Sequence, residues 1–200
     1  MRLTSFRSRS SATARLVTSA KCETAIAARD VLLRDAIIQA TLDPAVQTIE
    51  FGPLEVPDPT FALGAIVVER DAQRLVLDHR ACERTPPRTV DEEGGLLVVL
   101  EELGMRLAPL DSREIRKEPR FTNCREVWRY CDHDVPLRDR LQIMQALAEE
   151  GPQSIMELAN RVSPTVDIVP SVCALACSNI LELELAEKPL GPRTIVRERR

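Results

Sequence analysis

The sequence predicts an α/β protein: a mixed sheet flanked by helices, then a second, mostly helical unit closed by a hairpin. Three observations carry that expectation. Gly64 to Ala81, GAIVVERDAQRLVLDHRA, reads as two apolar strands joined by a polar turn. A capped helical pattern from Thr89 to Gly104 separates that hairpin from a further apolar run, Met105 to Leu110. From Pro136 onward apolar residues recur at helical spacing through three segments, and alternation returns in LELEL, Leu181 to Leu185.

Composition narrows the class. A chain of 200 residues makes one medium domain or two small ones. Its 44% hydrophobic and 29% charged residues are those of a soluble globular protein. No run of about 18 apolar residues exists to cross a membrane. The net charge of -4 gives no global pull toward nucleic acid. The charge is uneven, however. Arg2, Arg7, Arg9, Arg15 and Lys21 give residues 1–21 a charge of +5 with no acid among them. Residues 1–20 resemble a transit peptide only in being basic and acid-poor, and lack the apolar core of a secretory signal. They read as a flexible arm whose Arg7, Arg9 and Arg15 can touch phosphates without reading sequence. The six cysteines form no Cys-x-x-Cys pair, which points to reduced thiols and a cytoplasmic location. Cys124, Cys131 and His133 have the chemistry for zinc, but their spacing fits no common structural site.

Taken in order, the first helix is expected from about residue 23 to 40. Ile26, Leu33 and Ile37 form one apolar stripe, and Ala25, Leu32 and Ala36 the adjoining one. Arg29, Arg34 and Asp35 would face water. Glu23 would sit in the first turn, where an acid complements the helix dipole. Val46 to Glu50 reads as a strand, with Leu54 to Val56 as a short continuation between prolines. In the hairpin, Ala65–Glu69 and Leu75–Asp78 are the strands, and Arg70 to Gln73 the turn. The second strand ends in the charged triplet Asp78-His79-Arg80, at a place where α/β enzymes often keep their chemistry.

Thr85-Pro86-Pro87 breaks the chain, and Thr89 with Glu92 three residues on fits a capping box. Leu96, Leu97, Leu100 and Leu103 make the apolar face of the helix, and Gly104 its stop. Met105–Leu110 would then lie parallel to the second hairpin strand, because a helix crosses between them. Phe121 to Tyr130 reads as a helix joining two units, with Phe121 and Trp128 as packing anchors. Aromatics at 3% are too few for a surface that stacks on single strands. Leu137–Glu149, the Ser154/Glu157-capped segment and Val169–Ile180 are three helices. Leu181–Leu185 and Thr194–Arg197 are the strands of a closing hairpin, the order of a winged helix-turn-helix. The third helix holds no Arg or Lys, so direct reading of base edges is not expected of it. Arg193, Arg197, Arg199 and Arg200 would instead hold phosphates.

With these residues in view, the first half resembles the PD-(D/E)xK nuclease superfamily, and the two-part order resembles the TnsA-type transposase endonuclease subunit. The resemblance implies a restriction-endonuclease-like sheet over 21–118, a connecting helix over 119–135 and a winged-helix domain over 136–200. It also implies carboxylates that bind Mg2+, which activates water for phosphodiester cleavage. Residue by residue, Glu23 matches the helix acid, Asp78 the third-strand acid and Arg80 the position of the family's Lys. The second-strand Asp has no counterpart in register, because Gly64-Ala65 falls there. Asp58, in Pro57-Asp58, is the nearest substitute. Arg stays protonated and serves poorly as a base. The departures imply a nuclease-like scaffold with an impaired site, with no cofactor, acting in DNA transactions. It would bind DNA backbone weakly and without sequence preference, or bind a DNA-processing partner. Two alternatives stand beside it: an active Mg2+-dependent endonuclease using Glu23, Asp58, Asp78 and Arg80, and an adaptor whose apolar third helix docks on a partner. A nucleophile elbow and a Gly-rich phosphate loop are both absent from the sequence.

Overall fold

The computed structural model describes residues 15–28, 30–53, 64–78, 88–162 and 167–199. Arg7, Arg9, Asp58, His79, Arg80 and Arg200 lie outside the described residues, as do the expected strand 54–56 and the breaks at 85–87 and 163–165. The described residues begin with a two-stranded antiparallel ribbon, β1 (Arg15–Val17) and β2 (Ile26–Ala28), before the helix α1 (Val31–Leu42). This corrects the expected helix start. Ile26 and Ala28 are buried while Ala27 is half-buried, a strand alternation, and they pair with Val17 and Arg15. The helix starts where a cap is available: the Asp30 carboxylate accepts from Leu32 N at 2.7 Å. Glu23 is therefore exposed in the link between β1 and β2, not in a helical first turn.

Five further elements build the sheet layer: β3 (Val46–Pro53), β4 (Gly64–Arg70), β5 (Gln73–Asp78), α2 (Val90–Glu102) and β6 (Met105–Pro109). The sheet order is β3-β4-β5-β6, with the first two pairings antiparallel and β5-β6 parallel, as a crossover through α2 requires. The β4-β5 turn is tighter than its sequence suggests. Arg70 and Gln73 pair within the ladder, leaving Asp71 and Ala72 at φ 49° and 58°. Positive φ at both central residues is the type I′ geometry that suits strand twist. β4 is buried on both faces. Ile66 and Val68 pack with Leu33, Ile37, Val46 and Ile49 on the α1 side. Ala65 and Val67 pack with Val76, Leu96, Leu100 and Met105 on the α2 side. The capping box forms: Glu92 N donates to Thr89 Oγ1 at 3.3 Å and Thr89 N to Glu92 Oε2 at 2.9 Å.

The remainder comprises α3 (Ser112–Ile115), α4 (Arg120–Trp128), α5 (Leu137–Glu150), β7 (Gln153–Ser154), α6 (Ile155–Val162), α7 (Ile168–Cys177), β8 (Leu181–Leu183) and β9 (Ile195–Glu198). The last three strands form an antiparallel sheet in the order β7-β9-β8. The Ser154–Glu157 capping pair forms as expected. Val127, Ile143, Leu158, Val172 and Val196 centre this core, and Ile38 of α1 belongs to it. α1 is thus covered on two sides, by the sheet and by the C-terminal half. That is why Asp35, expected to face water, is buried, as is Gln39, whose Nε2 donates to Ile115 O. Trp128 packs against both cores. Asn123 pins α4 to the β8-β9 connection: its Nδ2 donates to Leu185 O and Lys188 O, each at 2.8 Å, and its Oδ1 accepts from Leu190 N at 2.8 Å. Among the described residues no helix is long and apolar enough to cross a membrane.

Candidate functional site

Asp78 closes β5 beside Pro109 of β6, as the hairpin pattern suggested. Its carboxylate is held at both oxygens by one side chain. Arg88 Nη1 donates to Oδ2 at 2.6 Å and Nη2 to Oδ1 at 3.0 Å, with both groups largely shielded from water. A parallel two-bond fork is the strongest arrangement available to this pair. The Asp78 hydrogen bonds raise the already high pKa of Arg88, so the guanidinium stays charged at any working pH. Sequence reasoning missed Arg88. The available signal was its place one residue before the α2 N-cap Thr89, on the crossover that leaves β5.

Glu23 is not brought to this place. Its neighbour Cys22 bridges Ile49 in parallel fashion. Because β3 pairs with β4 on its other edge, that bridge lies outside the sheet's β3 edge. Asp78 is on the third strand in from there. Three interstrand spacings of about 4.8 Å separate the two backbones by roughly 14 Å. Carboxylates sharing one Mg2+ must each come within about 2.1 Å of it. Among the described residues no group of three His, Cys, Asp or Glu converges on a metal position, Cys124, Cys131 and His133 included. Glu23 and Asp78, the described members of the metal set implied by the nuclease resemblance, are thus carried by backbone segments on different strands, and Asp58 lies outside the described residues.

The expected phosphate-binding arginines near the C-terminus fare unevenly. Arg199 Nη2 donates to Pro44 O at 3.0 Å and Val46 O at 2.9 Å, so it ties the last strand to the α1-β3 corner. Arg197 faces Glu184 at 3.8 Å. Arg193 is exposed in the β8-β9 connection. Arg15 is fixed by its backbone in β1. α7 is buried from Ser171 to Cys177 in the core of its own chain. Val169 and Pro170, at its start, are half-buried.

A groove of about 840 Å³ opens where residues 16–20, α1, α4 and the end of α7 meet. Arg34, Arg125 and Arg129 line it together with Phe121 and Trp128 of α4, Thr18 and Ser19, and the acids Glu126 and Asp132. Arg125 is held from two sides. Its Nε lies 3.5 Å from Asp35 Oδ1, and its guanidinium stands 5.2 Å from the Phe121 ring centre. Burial raises the Asp35 pKa, against the pull of Arg125, Arg34 and Arg116. Burial also pushes up the thiols of Cys131 and Cys177 at the groove, and that of nearby Cys124 to about 11, so these are not ready nucleophiles. The groove was not legible as a motif, because its α1 and α4 walls lie more than 80 residues apart in sequence. No family model, curated protein or solved structure matches the chain.

Proposed function

We infer that the chain is a nuclease-fold protein of the TnsA-like kind that takes part in DNA transactions without metal-dependent cleavage, contacting nucleic-acid backbone through the α1-α4 groove. The observation that carries this reading is the Asp78–Arg88 fork. The carboxylate at the third-strand position has each oxygen engaged by one guanidinium, so a Mg2+ there would sit beside a permanent cation that repels it.

The order helix, three-strand meander, crossover helix, parallel strand supports the nuclease likeness. The order α5-β7-α6-α7-β8-β9 supports a winged-helix reading of the C-terminal half, with its third helix turned to packing. Arg34 and Arg129, with Thr18, Ser19 and Thr122, supply charge-assisted and neutral donors for phosphate oxygens.

The test is fluorescence anisotropy of a 20-base-pair duplex across a salt series. Arg34→Ala/Arg129→Ala is expected to weaken binding for unrelated sequences alike. It should also make the slope of log K against log salt shallower by about 2, since each lost phosphate contact removes ~0.9. An unchanged slope would remove the groove from the reading.

A further inference from the structure

Helix α2 carries features that its own fold does not call for. Its inner face is satisfied: Leu96 and Leu100 are buried against the sheet. Its outer face is apolar as well, with Val90 87%, Leu97 49% and Val98 57% exposed. Positions 90, 94, 97 and 98 fall on one stripe at helical spacing, so Gly94 lies between the apolar residues. A Cβ added at Gly94 would meet nothing within 4 Å, so nothing inside the molecule requires glycine there. Glycine instead leaves the helix backbone open to close approach from outside.

The charges sharpen the choice of occupant. Asp91, Glu92 and Glu93 suit the helix start, but Glu101 and Glu102 stand in the last turn, where they oppose the dipole, and that turn holds no basic residue. α2 holds no Lys or Arg. Packed on a second copy of itself in either direction, it would set acids against acids. Nucleic acid would be repelled.

We propose that the outer face of α2 is a docking site for a cationic amphipathic helix of a partner protein. The partner's apolar ridge would lie along Val90, Gly94, Leu97 and Val98, and its Lys or Arg side chains would meet Glu93, Glu101 and Glu102. α2 and α1 cover opposite faces of the sheet, so this site is separate from the groove and does not depend on nucleic-acid binding.

The test uses the full chain and three 18-residue peptides, followed by calorimetry. One is a Leu/Lys amphipathic helix, one has the same composition scrambled, and one has every Lys replaced by Glu. The amphipathic cationic peptide is expected to bind at least tenfold tighter than either control. That binding should fall at least tenfold in Leu97→Ser/Val98→Ser and in Glu101→Lys/Glu102→Lys. Gly94→Ala, which raises helix propensity and so cannot fail by unfolding, should weaken it several-fold. Equal binding of the scrambled peptide, or binding indifferent to all three variants, overturns the proposal. So does a self-associating parent that Leu97→Ser/Val98→Ser renders monomeric in sedimentation equilibrium, since the occupant would then be a second copy.

Discussion

Arg88 matters as a two-pronged donor more than as a charge, and that sets the residue-scale expectations. Arg88→Ala leaves a shielded Asp78 without its fork and should cost about 1–2 kcal/mol in urea unfolding, reduced from the fully buried case because both groups keep some access to water. Arg88→Lys should recover little of that loss, because a lysine cannot supply two parallel donors. Asn123→Ala should cost more, about 3 kcal/mol, because two carbonyls and one N–H lose their partner inside the core. Asp35 makes a pH prediction. Its folded-state pKa is raised, so between the unfolded value near 4 and the higher folded value the native state holds the extra proton, and stability falls as pH rises through that window. The advantage of Asp35→Asn over the parent should therefore grow with pH from about 4 upward in paired urea titrations, and a flat difference would count against burial as the cause. Asp35 and Arg88 share a lesson about legibility. A charged residue announces its chemistry in the sequence, but the element that comes to lie against it is decided some ten residues away for Asp78–Arg88 and ninety away for Asp35–Arg125.

Elements were legible where local signals agreed. The hairpin, the capped α2, parallel β6 and the Ser154-capped α6 each had apolar periodicity and a turn or cap residue pointing the same way. Elements held by distant pairing were not. Ile26–Ala28 continues the apolar stripe of α1 and reads as helix, yet it folds as a strand because β1 lies alongside, and the helix cannot begin before the Asp30 cap. β7 is two residues long and exists only because β9 pairs with it. The same scale yields a test of turn strain. Ala72 holds a left-handed conformation that costs a side chain roughly 1 kcal/mol, and the open Asp-Gly sequence is the preferred one for this turn. Ala72→Gly should raise stability by about that amount, with no change in the dependence of unfolding free energy on urea.

At the scale of the whole molecule, α1 is the shared wall: the sheet packs on one side of it, the C-terminal helices on another, and Arg199 reaches back to its closing corner. Arg199→Ala should therefore lower the melting temperature of the N-terminal half as well as the C-terminal one, visible as a concerted shift in hydrogen exchange at Ile37 and Val196. The order from β3 to β6 was readable from the chain, but this sharing was not, and it is what creates the arginine-lined groove. On the proposed function, Arg88 and not a metal engages the strand-end carboxylate, and nucleic acid is held without being cut. The most direct measurement is one gel of supercoiled plasmid incubated with the full chain in Mg2+ and in Mn2+, resolved before and after removal of protein. Retarded plasmid that returns to the supercoiled position in every lane is expected, with Asp78→Asn behaving like the parent. Metal-dependent nicking that disappears in Asp78→Asn would contradict it.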